Sequence, residues 1–503
     1  MTQWLSLGAV LAVCVLTLAV GSWGLRWSRP TSDFYVAGRT VRPWRNASAI
    51  CGEYLSAASF LGVAALVYER GVDLLWLPVG YTVGYVVLLV LVAAPLRRSG
   101  AYTLADFAQM RLDSVAVRRL AAVLVIAIGW LYLLPQFRGA GLALTHLTGW
   151  PTWIGGLIVA VVVLANVASG GMRSITAVQA MQYWLKLTAI SVPVCILLAY
   201  WWVQDRPGMA PPDPGWAGPL WGLGQHGHPV YATWSTLVAL ALGAMGLPHI
   251  LVRFYTNPDG TDARRTTVAV IALLGVFYLF PPLWAVLARV YLDPAQTAAT
   301  TDAVVLGLPD AAASGVPAHL LTAVVAGGAF AAFLSTASGL AMSVTGALHH
   351  DLWEGRGSRG SQPLRGFRVA ALAALGTPYV ASILLPSVGL ATTVTLAFAV
   401  AAATFAPLLV LGIWWRGLSR AGAVAGLLVG GLTATGAVVI TMVNRDLAGW
   451  PGALLSQPAA WCTPLTFAVM AVVSLATPGS VPARTVGVLM RLHTPEQVGV
   501  SAR

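Results

Sequence analysis

Charge is what this chain has least of. Only 9% of its 503 residues are Asp, Glu, Lys or Arg, where a soluble domain carries charge on about a quarter of its positions. That scarcity excludes an ordinary water-facing surface. Lysine is nearly missing, because 28 of the 29 basic residues are arginine. Cysteine is also rare, and Cys14, Cys51, Cys195 and Cys462 all sit inside apolar runs without paired or metal-ligand spacing, which argues against a disulfide framework and a zinc site. A metal-spaced His/Glu set and a Gly-x-Ser-x-Gly elbow are missing too, so the chain does not read as an enzyme and no organic cofactor is expected.

Apolar residues make up 58% of the chain, and they fall in runs long enough to cross a bilayer as helices whose backbone groups satisfy one another. Thirteen such runs are expected, near residues 4–24, 46–69, 72–96, 119–147, 151–169, 174–203, 233–255, 266–292, 317–348, 367–385, 389–414, 421–443 and 459–477. The fold class is therefore all-α, a polytopic integral membrane protein in the cell membrane with the lipid bilayer as its surroundings. The net charge of +12 is not a nucleic-acid signature, because no basic stripe alternates with exposed aromatics. Arginines cluster instead in alternate gaps: 23 at residues 26–45, 97–119, 173, 253–265, 356–368, 416–420 and in the tail, against only Arg70, Arg206, Arg289 and Arg445 in the others. This split puts the N-terminus outside and the C-terminus in the cytoplasm.

Ionisable residues inside spans are costly and mark function by default. Glu53 lies in Ala49–Gly62, a helix rich in glycine and small residues that can unwind at mid-depth. Five spans later, Ala241–Thr256 holds Gly243, Gly246, Pro248 and His249. Two interrupted helices at corresponding places in two five-helix halves point to an inverted-repeat transporter with its site at the bilayer midplane. His249 alone reads more readily as a satisfied interior histidine than as a ligand. A hydroxyl-rich stretch around Ser335, Thr336 and Ser338 can offer oxygen ligands to a hard cation, although hydroxyls on a helix usually bond back to the preceding turn. Arg138, deep in the fourth span, either holds a substrate carboxylate or pairs with Glu53. Lys186 reads as a side chain snorkelling to the mouth of its span.

The motifs Ser32–Arg39, Gly52–Gly62, Tyr102–Asp106, Gly246–Phe254 and Gly422–Gly430 resemble the sodium:solute symporters, in particular their cation/acetate or monocarboxylate branch. The resemblance runs to about residue 435. It implies a LeuT-like core of two inverted five-helix repeats that works by alternating access. The organisation would be an extra helix and cytoplasmic loop over 1–45, a first repeat over 46–203, an extracellular loop over 204–232, a second repeat over 233–414, two further helices over 415–477 and a cytoplasmic tail over 478–503. It also implies a co-transported Na+ held by the carbonyls of Gly52, Leu55 and Ala332 and the hydroxyls of Ser335 and Thr336. A small monocarboxylate would bind among Tyr54, Ser56, Ala57, Gln136, Arg138, Gly246 and His249, with Glu53 as a coupling candidate. Gln179 stands, as in acetate-type relatives, where some members carry an acid; Glu53 stands where Asp is expected and Arg138 where a neutral residue is expected, so sodium- or proton-coupled symport of another solute such as proline, pantothenate or a sugar stays open. Oligomeric state is not legible.

Overall fold

In the computed structural model, the described residues are 2–24, 37–208, 215–223, 226–293, 297, 301–353, 363–386, 389–444 and 447–496. Residues 32–36 of the first motif and Arg445 fall outside them. Among the described residues the structure is helical and contains no strand. Eleven helices are long and apolar enough to span, a bent pair makes a twelfth span, and the shorter apolar helix Thr152–Ala168 fills the remaining expected position. Each expected run thus has its helix.

Two helices are broken where the sequence has small residues and proline. The helix Pro43–Tyr54 gives way to Ala58–Arg70 with a 70° bend. The break falls at residues 55–57, not at Gly52, which is inside the regular helix. Gly52 has another purpose: a Cβ there would lie 2.1 Å from the carbonyl oxygen of Gln179, so glycine lets two backbones touch. The second break separates Pro229–Ala244 from Pro248–Phe254, with Pro248 in the first helical turn, where its missing N–H is not needed. Residue Gly171, at φ 56° and ψ −179°, divides Thr152–Ala168 from the span Gly171–Val203. Counted from Pro43, the broken helices are the first and sixth of ten, the tenth being Leu390–Trp414.

The core forms where the helices Pro43–Tyr54, Gly171–Val203 and Gly315–Gly346 pack together. The N-terminal helix Thr2–Gly24 lies against the outside of this group and keeps most of its side chains exposed. Glycines 422, 426 and 430 of the Gly422–Gly430 motif meet Ser474, Met470 and Thr466, so that motif is a close-packing seam between the last two spans. Thr103 caps the helix Leu104–Leu112, its hydroxyl accepting from the Asp106 amide at 3.0 Å, while Asp106 accepts from the Tyr102 amide at 3.3 Å. The Tyr102–Asp106 motif is therefore a reciprocal helix cap.

The arginine-rich gaps gather at one end. There Arg97 donates to Asn257 and Pro258 carbonyls, Arg111 to those of Gly412 and Trp415, and Arg118 pairs with Asp106 and Asp351. At the opposite end a cavity of about 700 Å³ opens, lined among others by Glu69, Arg70, Leu77, Asp302, Thr395 and Leu396.

Candidate functional site

The two breaks meet in the buried middle of the molecule. Tyr54, Leu55, Ser56, Ala57, Gln136 and His249 are each no more than 2% exposed. The cavity floor at Leu77 and Thr395 is about one helical turn from Tyr81 and Phe398, which close over Tyr54 at ring distances of 5.9 Å each. On the other side the space lined by Thr103, Met172, Pro248 and Gly346 is about 20 Å³. The breaks are thus sealed from both ends, with a wide vestibule above one of them.

Unwinding strips backbone groups of their intrahelical partners, and each must be satisfied elsewhere. The Ala57 amide donates to the Gln136 side-chain oxygen at 3.1 Å, and the Gln136 amide donates to Tyr132 O at 3.2 Å. Ser56 Oγ accepts from the Ala58 amide at 3.2 Å and from the Tyr132 hydroxyl at 3.5 Å. Tyr54 donates to the Tyr81 carbonyl at 3.2 Å. Gly246 is pressed on the backbone of Ala401, where a Cβ would lie 2.5 Å from its oxygen. His249 packs edge-on to Tyr132 at 5.3 Å. Both its ring nitrogens, and the Tyr85 hydroxyl, lack a hydrogen-bond partner among the described residues, so His249 is not the satisfied interior histidine that its sequence suggests.

The carbonyls at the end of the helix Pro43–Tyr54 are the other half of the site. The Thr336 hydroxyl donates to Glu53 O at 2.6 Å, and Ser335 Oγ donates to Ala332 O at 3.1 Å. The Gly52 and Leu55 carbonyls and Ser335 Oγ all accept from Lys186, the last two at 2.7 and 3.0 Å. Lys186 does not snorkel: it is fully buried, and its ammonium stands among three of the five residues expected to hold a cation.

Glu53 is paired, but not with Arg138. Its Oε2 accepts from Arg253 Nε at 2.7 Å, both side chains being 1% exposed. Arg253 also donates to Thr176 at 2.8 Å and to the Gln179 side-chain oxygen, and Gln179 donates onward to Ser335 O at 2.8 Å. An acid at position 179 could not make both contacts, since it has no N–H to give. Glycine at 339 is required beside this pair, because a Cβ there would lie 1.8 Å from Glu53 Oε1. Arg138 points elsewhere and donates to the carbonyls of Ser382, Leu385 and Pro386 at a helix end. In this structure Arg138 thus caps a helix C-terminus instead of pairing with Glu53. The sequence groups Arg253 with the loop arginines, and its place in the apolar turn after Pro248 is the one signal there of a buried role.

Asp106, His350 and Asp351 bring potential metal ligands within 4.8 Å of one another. Arg118 already bonds both carboxylates, at 3.1 and 2.8 Å, so the cluster is held as an ion-pair network.

The family description "Sodium:solute symporter family" matches residues 34–430. An uncharacterized symporter, YwcA of Bacillus subtilis (strain 168), is 32% identical over 475 residues, 91% of each chain. Among solved structures, a Na+-coupled sialic acid symporter in a substrate-bound outward-open state superposes with a TM-score of 0.73 at 14% identity, covering 94% of this chain and 97% of its own. Mhp1, a nucleobase-cation-symport-1 family transporter, and MhsT in complex with L-phenylalanine each give 0.55, at 14% and 13% identity, covering 92% and 86% of this chain and 99% and 98% of theirs. The shared architecture is the LeuT-type fold, with the broken helices as its first and sixth core members. The chain belongs to the sodium:solute symporter family, a family of membrane transporters rather than enzymes.

Proposed function

We propose that this protein is a secondary active transporter that moves a small monocarboxylate, acetate-like in size, into the cell with a cation, by alternating access between the two faces of the bilayer. Sodium is the cation that the family's name supplies, and one positive charge crossing 100 mV releases about 2.3 kcal/mol, enough to drive accumulation. The observation that carries the reading is the pair of mid-span breaks enclosing buried groups that have nothing to bond. His249, with both nitrogens lacking a partner among the described residues, packs edge-on to Tyr132 at 5.3 Å, and Tyr85, whose hydroxyl also lacks one, packs against Tyr54 of the first break at 4.9 Å. Buried polar groups rarely stay unsatisfied, and a carboxylate is the ligand that accepts from several at once. The 70° bend between Pro43–Tyr54 and Ala58–Arg70 supplies a joint about which the outer half can close.

Uptake of radiolabelled acetate, propionate and pyruvate into proteoliposomes tests this. Saturable accumulation of at least one, reduced about tenfold or more in His249→Ala with membrane insertion unchanged, is expected, since that variant forfeits one buried hydrogen bond to a charged ligand. Failure to accumulate any monocarboxylate, with competition by proline, pantothenate or a sugar instead, refutes the substrate class.

A further inference from the structure

The chain contains a single lysine, Lys186, and the fold places its ammonium at the negative end of the first broken helix. We propose that Lys186 is a tethered cation that fills the coupling-ion position between the two halves of the core, so that this cradle binds no free sodium while the lysine is in place. The inference rests on the transporter reading above and specifies what holds the position at its centre.

Three observations carry it. An ammonium has three N–H donors, and Lys186 has three acceptors: the carbonyls of Gly52 and Leu55 and the hydroxyl of Ser335. Its capacity is used in full. The other two oxygen groups that could complete a cation shell are also engaged, Ala332 O with the Ser335 hydroxyl and the Thr336 hydroxyl with Glu53 O. Finally, Glu53 is held by Arg253, and no carboxylate lies within ion-pair distance of Lys186 among the described residues. The ammonium is therefore stabilised by dipoles, in the manner of a bound metal ion, with the carbonyls ending the helix Pro43–Tyr54 supplying the negative pole. Every other member of the lysine and arginine set in the protein is arginine, whose planar fork cannot imitate a compact point charge. A second monovalent cation about 4 Å from this one would be disfavoured by roughly a thousandfold at an effective dielectric of about 20.

The thermal unfolding midpoint of detergent-purified protein, measured in sodium chloride and in choline chloride, tests the proposal without reference to any substrate. Wild-type protein is expected to show no sodium-dependent rise that Ser335→Ala removes. Lys186→Ala removes the tethered charge and leaves Gly52 O, Leu55 O and Ser335 Oγ facing an open space, so it is expected to gain a sodium-dependent rise that is lost again in Lys186→Ala/Ser335→Ala. A sodium-dependent rise in wild-type protein that Ser335→Ala abolishes overturns the proposal, and that comparison stands even where Lys186→Ala does not fold. A folded Lys186→Ala that ignores sodium overturns it too. Because neither readout involves transport, a failure here is distinct from a failure to take up monocarboxylates.

Discussion

Replacing Gly339 with alanine should break the buried Glu53–Arg253 pair, and the size of the effect follows from the packing. The new Cβ would lie 1.8 Å from Glu53 Oε1 and 2.0 Å from its Cδ, against an ordinary van der Waals contact of about 3.5 Å. The obstruction is the carboxyl itself, so Glu53 must move by more than an ångström and surrender its 2.7 Å bond to Arg253. Separating a fully buried ion pair costs about 3–5 kcal/mol, because each charge is left without its partner. In Glu53→Ala the obstructing atoms are gone, so adding Gly339→Ala should then cost little. The two changes are predicted to be non-additive by about 2–4 kcal/mol. The assay is the unfolding midpoint at fixed scan rate for the four members of the cycle, in detergent. Gly339→Ala in wild-type protein should lower it by about 5 °C or more, and the same change in Glu53→Ala by less than about 2 °C. Equal penalties in both backgrounds, or a Gly339→Ala protein as stable as wild type, would refute the reasoning.

Two further outcomes follow from groups at the breaks and the vestibule. Gln136→Met removes the acceptor of the Ala57 amide and leaves a buried N–H unsatisfied at a cost of about 1–3 kcal/mol; initial uptake should fall, and full-rate uptake with an unchanged melting midpoint would argue against the brace. Burial pushes the Asp302 carboxyl up from 3.8 to about 6, so its contribution is neutral below the unfolded value, becomes a growing penalty as pH rises from there to 6, and is constant above it, at up to about 3 kcal/mol less whatever the vestibule water screens. Asp302→Asn keeps an acceptor for the Leu390 amide, now 3.2 Å from Asp302 Oδ2, and should raise the midpoint at pH 8 but not at pH 4; an equal rise at both would show that ionisation is not the cause.

The spans were legible in the sequence because apolar runs and breakers report directly on what a bilayer tolerates. Both broken helices were legible too, but the exact break was not: Gly52 signals flexibility by composition, yet its actual work is to admit the Gln179 backbone, and the chain unwinds three residues later. Charged residues were harder to place. Position along a span does not tell which face a side chain takes, and that decides everything for Lys186, which turns inward to Gly52 and Leu55, and for Arg138, which turns to a helix end at residues 382–386. Arg253 is hard to place from sequence because a cation close to an arginine-rich gap looks like a member of it. Only the crossing of the two broken helices makes it the partner of Glu53. Gln179 shows the same limit. In the sequence it stands out only as an amide where some family members carry an acid, but between Arg253 and Ser335 its amide accepts from one and donates to the other, which an ionised acid could not do.

That a chain of 503 residues holds one lysine, enclosed where two helices cross, also has a practical side. Besides the N-terminal amine, acylating reagents meet a single side-chain amine in the whole polypeptide, so the extent of modification at Lys186 becomes a clock for how often the middle of the protein opens to water.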